Sequence, residues 1–156
     1  MNDHLTFERI NQENLETFLA LVEQYYAFDG IAFEREVVRR AALELMHTPA
    51  FGAAWLIADG GRFVGHFVVA LGFDFEFGGR QATVTELFLE PAARKRGIGR
   101  AALAFVEATL LKLGIHTLEL QVERDNHEAQ AFYARLGLKA HDRIPMSKRL
   151  ASVSRA

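Results

Sequence analysis

The chain has 156 residues and no cysteine, and it contains only three prolines and one tryptophan. The absence of cysteine excludes a disulfide framework, a zinc–thiolate site and a cysteine nucleophile. No stretch approaches the roughly 20 uncharged apolar residues of a membrane-spanning helix. The first residues have neither the basic start nor the apolar run of a secretory signal. We therefore expect a cytoplasmic protein whose function involves no membrane.

A large charge of one sign is also missing, since the formal net charge at pH 7 is -2. Basic residues are concentrated at 94–100 and in the tail rather than along one face, which argues against a nucleic-acid partner. The six histidines do not have metal-ligand spacing with acidic residues, so we predict no metal. His66, on a predicted central strand, fits either a pocket-lining residue or, more commonly for a lone histidine, a hydrogen-bonded structural one.

Apolar residues make up 50% of the chain, which is ordinary for a folded protein. We predict one domain over residues 1–150 and a C-terminal tail over 151–156. In the first half, two helices are expected. One is capped by Asn11 and ended by Asp29-Gly30, and the other covers about residues 34–46.

Extended patterns are expected before, between and after the helices. The segments are Leu5–Ile10, 53–58, 62–71 with an alternating continuation over Phe73–Phe77, 83–89, 117–122, 138–142 and 146–150. Asp59-Gly60-Gly61 is a hairpin signal. Segments 83–89 and 117–122 flank a helix and should be parallel, whereas the earlier strands should be antiparallel. The fold class is therefore α/β (α+β), with a mixed, mostly antiparallel sheet of about six to seven strands flanked by about four helices.

The stretch Arg94-Lys95-Arg96-Gly97-Ile98-Gly99-Arg100 connects strand 83–89 to an apolar-striped helix. Its two glycines allow a tight turn with accessible N–H groups, and the turn is also a helix N-terminus. Free amides, the helix dipole and basic side chains together favour a multiply charged phosphate. The same residues would also fit a solvated basic turn. Neither the P-loop pattern nor the dinucleotide-binding pattern matches well.

Two motifs in the second half resemble those of the GNAT superfamily of N-acetyltransferases. Arg94-x-x-Gly97-x-Gly99 is similar to its acyl-CoA-binding motif. The stretch from Asn126 to Leu138 is similar to the next motif, Asn-x-x-Ala-x-x-Phe-Tyr-x-x-x-Gly-Phe. Position 138 is leucine where the family often has phenylalanine, and position 95 is lysine where glycine is frequent. The resemblance covers residues 83–140 and implies a GNAT fold with acetyl-CoA as co-substrate.

The resemblance also implies roles for individual residues. The main chain of Leu87, Phe88 and Leu89 would pair with the pantetheine arm. The diphosphate would be bound by the turn, and Asn126, which is also a good helix cap, would contact the cofactor. The predicted cofactor-binding residues of the turn are Arg94, Lys95, Arg96, Gly97, Ile98, Gly99 and Arg100.

Two side chains are candidates for catalysis. Tyr133 matches the motif tyrosine that acts as a weak acid for the departing thiolate, although its spacing alone fits a core aromatic. Glu86 would accept a proton from the acceptor ammonium, directly or through water, or attract the cation. Its alternative role is that of an exposed strand carboxylate.

The acceptor site is expected between the loop that joins the first two helices and the strand before the basic turn. Acidic and aromatic side chains there suit a cationic amine such as a polyamine, an amino sugar or an amino acid. Asp74 and Glu76 would equally be the solvated face of an alternating strand. The candidate residues are Tyr25, Tyr26, Asp29, Asp74 and Glu76.

The sequence thus predicts an N-acetyltransferase that moves an acetyl group from acetyl-CoA to a primary amine of a small molecule in a ternary complex. The absence of cysteine favours direct attack over a covalent acyl-enzyme. Two alternatives use the same turn: a non-catalytic acyl-CoA-binding sensor or partner-binding module, and a binder of nucleotide phosphates. Exposed sheet edges would allow a homodimer.

Overall fold

A five-stranded sheet in the order β1-β2-β3-β4-β5 is the main feature of the computed structural model, which describes residues 4–152. The described chain also contains four α-helices and three single-turn 3₁₀ helices, at Pro49–Phe51, Phe75–Phe77 and Pro91–Ala93. The strands are β1 Leu5–Arg9, β2 Gly52–Asp59, β3 Arg62–Asp74, β4 Gly79–Leu89 and β5 Leu118–Leu120. The helices are α1 Leu15–Asp29, α2 Arg35–His47, α3 Ile98–Lys112 and α4 His127–Arg135.

The first four strands form an antiparallel meander, and β5 is parallel to β4. The sequence predicted this change of direction because a parallel pair needs a crossover, which α3 provides. Gly60 and Gly61 form the tight turn between β2 and β3 with φ of 60° and 82°. Positive φ at both central residues is what a two-residue hairpin turn requires, so the hairpin prediction is confirmed.

Contacts within the chain divide it after Leu120 into two units. The described part of the first unit, residues 4–120, contains the whole sheet and helices α1 to α3. The described part of the second unit, residues 121–152, contains α4 and extended chain. None of the described helices has the length and apolar composition needed to cross a bilayer.

The first unit has a buried layer on each face of the sheet. On one face, α1 contributes Phe18 and Leu19 to a cluster with Leu56 of β2. On the other face, the ring of Phe105 from α3 lies 4.9 Å from that of Phe7. Because the sheet is covered on both sides, β2 is a nearly continuous apolar run rather than an alternating one.

The prediction of six to seven strands is wrong, because the two closing strands do not form. Residues 138–142 and 146–150 have no ladder partner in the described structure. In the second segment, the apolar side chains of Met146 and Leu150 are solvated, with 93% and 91% exposed. A strand is stable only with a hydrogen-bonded neighbour and a buried face, and Pro145 removes one donor in between.

The alternating strand predicted over Phe73–Phe77 is also wrong beyond Asp74. The Asp74 carboxylate accepts a hydrogen bond from the Glu76 N–H at 2.8 Å, and a 3₁₀ turn over Phe75–Phe77 follows. Gly78, with φ of 77°, then ends this turn. This hydrogen bond between a side chain and the nearby backbone stabilises the turn in place of a strand ladder.

Asn11 does not cap α1 as predicted. Its side-chain oxygen accepts bonds from the N–H groups of Glu13 and Asn14, at 2.8 and 3.1 Å. It therefore stabilises a turn before the helix, and the first helical bond runs from Phe18 N–H to Asn14 O at 3.0 Å. Asparagine side chains stabilise both helix N-termini and turns of this kind. Asn11 stabilises the turn because three residues separate it from Leu15, where the helix begins.

Candidate active site

The basic turn ends at the N-terminus of α3, and its backbone has the expected glycine conformation. Gly97 has φ of 79° and precedes the helix. Lys95 has φ of 60°, so the position where the resembling family frequently has glycine uses a glycine-like conformation here. The first helical bond runs from Ala101 N–H to Gly97 O at 3.1 Å. The N–H groups of Ile98, Gly99 and Arg100 therefore precede the helical ladder, as an anion-binding helix end requires.

Two of the arginines in this turn are engaged within the protein. Arg94 donates from Nε to the carbonyl of Leu89 at 2.9 Å, and its guanidinium lies 4.5 Å from the centre of the Phe28 ring. Arg96 forms an ion pair with Asp59 at 2.8 Å. Arg94 thereby fixes the turn to the end of β4 and to α1, whereas the side chains of Lys95 and Arg100 are exposed.

The end of β4 has a ladder on its β3 side only. Leu87, Phe88 and Leu89 pair with residues 65–67 of β3. On the opposite side, β4 pairs with β5 only over residues 82–84. The two parallel strands are thus not paired over the stretch that leads into the basic turn.

A cavity of about 450 Å³ lies between α1, α2 and strands β3 and β4. Its walls are mainly apolar, and its polar groups come from two adjacent tyrosines, one threonine and one glutamate. The lining residues are Phe18, Val22, Tyr25, Tyr26, Ile31, Val37, Val38, Ala41, Ala42, Leu45, Val68, Thr85 and Glu86. The cavity thus brings together Tyr25, Tyr26 and Glu86, which the sequence singled out separately.

Glu86 reaches the cavity from β4 and is held by a buried histidine. Its side chain is 15% exposed, and Oε2 lies 3.3 Å from Nε2 of the fully buried His66. Because a carboxylate can only accept, Nε2 carries the proton of the pair. The other ring nitrogen, Nδ1, has no partner. The His66 ring also packs edge-on against Phe18, so of the two roles predicted for it, the structural one fits.

Both cavity tyrosines hold their protons tightly. Burial, followed by the charge of Glu86 and a hydrogen bond to it, raises the pKa of Tyr26 to about 12. Burial, followed by the charge of Asp29 and a hydrogen bond to it, raises the pKa of Tyr25. Each hydroxyl is therefore protonated at neutral pH and donates to a carboxylate. The cavity then has a single carboxylate, Glu86, flanked by hydroxyl donors.

A family model described as the acetyltransferase (GNAT) family matches residues 9–138. The chain belongs to the acetyltransferase (GNAT) family. The match spans most of the chain and includes both motifs that resemble the family in sequence. The expected fold class, a mixed α/β GNAT fold, is confirmed, with five strands and four helices in the described residues.

Solved structures give the same fold. An integron cassette protein from the mobile metagenome of Cole Harbour Salt Marsh is 29% identical, with a TM-score of 0.83 over 96% of this chain and 93% of that one. The aminoglycoside N-acetyltransferase AAC(6')-Iy, solved with CoA, is 17% identical, with a TM-score of 0.80 over 95% and 96%. A predicted acetyltransferase from Clostridium acetobutylicum, solved with acetyl-CoA, is 13% identical, with a TM-score of 0.78 over 92% and 96%. A comparison with curated proteins finds no significant match.

In this GNAT chain, three predicted acceptor residues lie outside the cavity lining. Asp29 is exposed at the end of α1 and contacts the cavity through Tyr25. Asp74 and Glu76 lie at the far end of the β3–β4 hairpin. Val68 pairs with Glu86, and Asp74 follows Val68 by six positions, which is about 20 Å of extended strand. Asp74 and Glu76 therefore do not line the cavity.

The second GNAT motif lies in the other unit. Asn126 caps α4, and its side-chain oxygen accepts a bond from the Ala129 N–H at 3.1 Å. Tyr133 is half-buried on the same helix, and burial raises the pKa of its hydroxyl. The prediction that Asn126 caps a helix is confirmed.

Among the described residues, no group of three or more histidine and carboxylate side chains could hold a metal ion.

Two features of this GNAT site were missed by the sequence analysis. The first is the wall formed by α2, for which the sequence predicted a helix but no part in the site. The second is the pairing of His66 with Glu86. His66 precedes by two residues Val68, the partner of Glu86, so they are diagonal neighbours on one sheet face. The register of β3 against β4 determines this pairing, and a single sequence does not determine that register.

Proposed function

We propose that this GNAT chain is an N-acetyltransferase that moves an acetyl group from acetyl-CoA to a primary amine of a small molecule. One observation carries the proposal: strand β4 contributes Glu86 to the wall of a cavity and leads, through the short helix 91–93, to the basic turn before α3. A long co-substrate with a diphosphate at one end and a thioester at the other fits this arrangement. The acceptor would enter from the cavity.

The co-substrate would lie along the end of β4. In the proposal, the main chain of Leu87, Phe88 and Leu89 binds the pantetheine amides, and the amides of residues 97–100 bind the diphosphate. Lys95 and Arg100 add positive charge beside it. Arg94 and Arg96, which also contact Leu89 and Asp59, would position the turn in addition to contributing positive charge. The relatives solved with CoA and with acetyl-CoA support this choice of co-substrate.

The reaction would proceed by direct attack. Glu86 takes a proton from the acceptor ammonium, directly or through water, and the freed nitrogen lone pair attacks the thioester carbonyl carbon. The resulting intermediate carries an oxyanion and a positively charged nitrogen. This nitrogen loses its second proton to water, the oxyanion collapses, the C–S bond breaks, and CoA leaves as a thiolate that solvent protonates. Proton transfer from Tyr133 to the thiolate is uphill, because the ordinary tyrosine pKa of about 10 already exceeds the thiol pKa of about 8.5 and burial raises the pKa of Tyr133 further. Its hydroxyl would therefore stabilise the thiolate mainly by hydrogen bonding.

A panel of amines with acetyl-CoA, followed by release of free thiol, tests the proposal. Thiol release that requires an amine and yields one N-acetylated product per thiol is the expected result. Binding of acetyl-CoA without turnover on any amine would instead favour the non-catalytic sensor. Competition by ATP or NAD at an affinity similar to that of CoA would favour the nucleotide-phosphate binder.

A further inference from the structure

The cavity beside Glu86 is strongly asymmetric in its chemistry. Its polar groups come from Thr85, Glu86 and the two tyrosines. The remaining wall is hydrocarbon, from residues of α1, α2 and β3. It includes Phe18, Val22, Val37, Val38, Leu45 and Val68. A ligand that fills the cavity therefore meets one polar site and an otherwise apolar surface.

The charge of the lining limits what can enter. Glu86 is the only carboxylate among the thirteen residues that line it, and no lysine, arginine or histidine lines it. Burial and neighbouring carboxylates raise the pKa of both tyrosine hydroxyls, so these stay neutral. A first ammonium group would be paired with this carboxylate. A second ammonium or a set of hydroxyls lying against the hydrocarbon wall would lose water without gaining a partner there, because Asp29, which accepts a hydrogen bond from Tyr25, lies outside the lining.

The volume of the cavity suits a small molecule. At about 450 Å³, it lies within the range of about 300–1,000 Å³ that is usual for ligand pockets. Apolar surface that leaves water on entering such a site contributes to affinity roughly in proportion to its area. The hydrocarbon part of the acceptor should therefore determine how tightly it binds.

We propose that the acceptor is a monoamine with an apolar body, such as an alkylamine or arylalkylamine, whose ammonium lies at Glu86 and whose body lies between α1 and α2. The inference rests on the proposed function, because it takes this cavity as the acceptor site. It narrows the acceptor classes, since polyamines and most amino sugars carry polar groups that the apolar wall cannot satisfy.

Binding of matched amines to the full chain, saturated with CoA and followed by calorimetry, tests the class directly. Affinity should rise about fourfold for each methylene from butylamine to octylamine. The matched 1,8-diaminooctane, which differs from octylamine by one terminal amine, should bind at least about tenfold more weakly than octylamine. Equal or tighter binding of the diamine or of spermidine, or no dependence on chain length, would overturn the proposal.

A charge placed in the apolar wall should change this preference. Ala41 lines the cavity but is exposed on α2, so Ala41→Glu should fold. It should reduce the preference for octylamine over the diamine by about tenfold or more, because the second ammonium gains a counter-ion. Ala104→Glu, the same change at an exposed site on α3, is the control and should leave the preference unchanged. An unchanged preference in Ala41→Glu would also contradict the proposal.

Binding and turnover separate this inference from the proposed function. If octylamine binds preferentially but no amine is acetylated, the acceptor cavity is supported and the transferase activity is refuted. If spermidine or an amino sugar is acetylated with the higher kcat/KM, the transferase activity is supported and the monoamine class is refuted.

Discussion

Glu86 connects the two parts of the proposed chemistry, because it belongs to the cavity wall and to the strand that leads to the basic turn. Replacing it by glutamine keeps the shape and removes the proton acceptor. Glu86→Gln should lower kcat/KM for the amine by about 10²- to 10³-fold, the usual contribution of a general base. Calorimetry should give an unchanged Kd for acetyl-CoA. Activity within threefold of that of the wild-type chain would exclude Glu86 as the base.

His66 acts on the amine only through Glu86, so it is a positioning residue. His66→Phe keeps a buried ring and removes the hydrogen bond to the carboxylate, which should lower kcat by about tenfold with little change in KM. His66→Gln places an amide N–H in a similar position and should recover part of the loss. Equal kcat values in the two variants would show that the ring only fills space.

Tyr26 should make the fold sensitive to alkaline pH. Its folded-state pKa of about 12 lies above the value of about 10 in an unfolded chain, so the folded state holds this proton more tightly. The resulting stabilisation is complete below about pH 10 and is lost as the pH rises through about 12. After allowance for its partial exposure, it amounts to about 1 kcal/mol.

Urea unfolding of the wild-type chain and of Tyr26→Phe, from about pH 9 to about pH 11.5, measures this contribution. The free energy of unfolding should fall more steeply with pH in the wild-type chain than in the variant. Parallel curves would mean that Tyr26 does not hold its proton as its contacts with Glu86 indicate.

At the scale of elements, the turn before α3 provides the sharpest test of the co-substrate site. Gly97 has φ of 79°, and a Cβ added there would meet no atom within 4 Å. Gly97→Ala therefore costs about 1 kcal/mol through backbone strain alone. Relaxation of that strain would move the amides that are proposed to bind the diphosphate. Calorimetry should then give a Kd for acetyl-CoA weaker by about fivefold or more.

Gly78 offers a matched control on the other side of the same unit. Its φ is 77°, and a Cβ there would likewise meet nothing within 4 Å. Gly78→Ala should therefore lower stability by a similar amount and leave the Kd for acetyl-CoA unchanged. Similar losses of affinity in both variants would indicate a general loss of stability rather than a specific role of the turn.

Elements were predictable where local chemistry determines them. Gly97 and Gly99 before an apolar stripe predicted the turn and α3, and Gly60-Gly61 predicted the hairpin. The closing strands failed because a strand depends on a neighbour, and the described residues after α4 have none. The strand prediction over Phe75–Phe77 was wrong because the Asp74 carboxylate accepts a hydrogen bond from the Glu76 N–H. The turn that this bond stabilises prevails over the alternating sequence pattern.

At the scale of the whole molecule, the family was predictable and the acceptor was not. Two short motifs pointed to the GNAT family because each of them, a basic glycine-containing turn and a capped helix, lies in consecutive residues. The cavity instead combines side chains from α1, α2, β3 and β4, which are distant in sequence. The sequence therefore did not indicate that these apolar side chains form a site. Asp74 and Glu76 were selected because acidic residues beside aromatic ones, on the segment before the basic turn, suit a cationic amine.

The central claim is that the turn before α3 binds the diphosphate of acetyl-CoA while Glu86 faces the reacting amine. A crystal structure of the chain with CoA and octylamine tests it most directly. We predict diphosphate oxygens within about 2.7–3.2 Å of the N–H groups of residues 97–100, and the amine nitrogen beside Glu86. A diphosphate bound elsewhere, or an amine outside the cavity, would contradict the account.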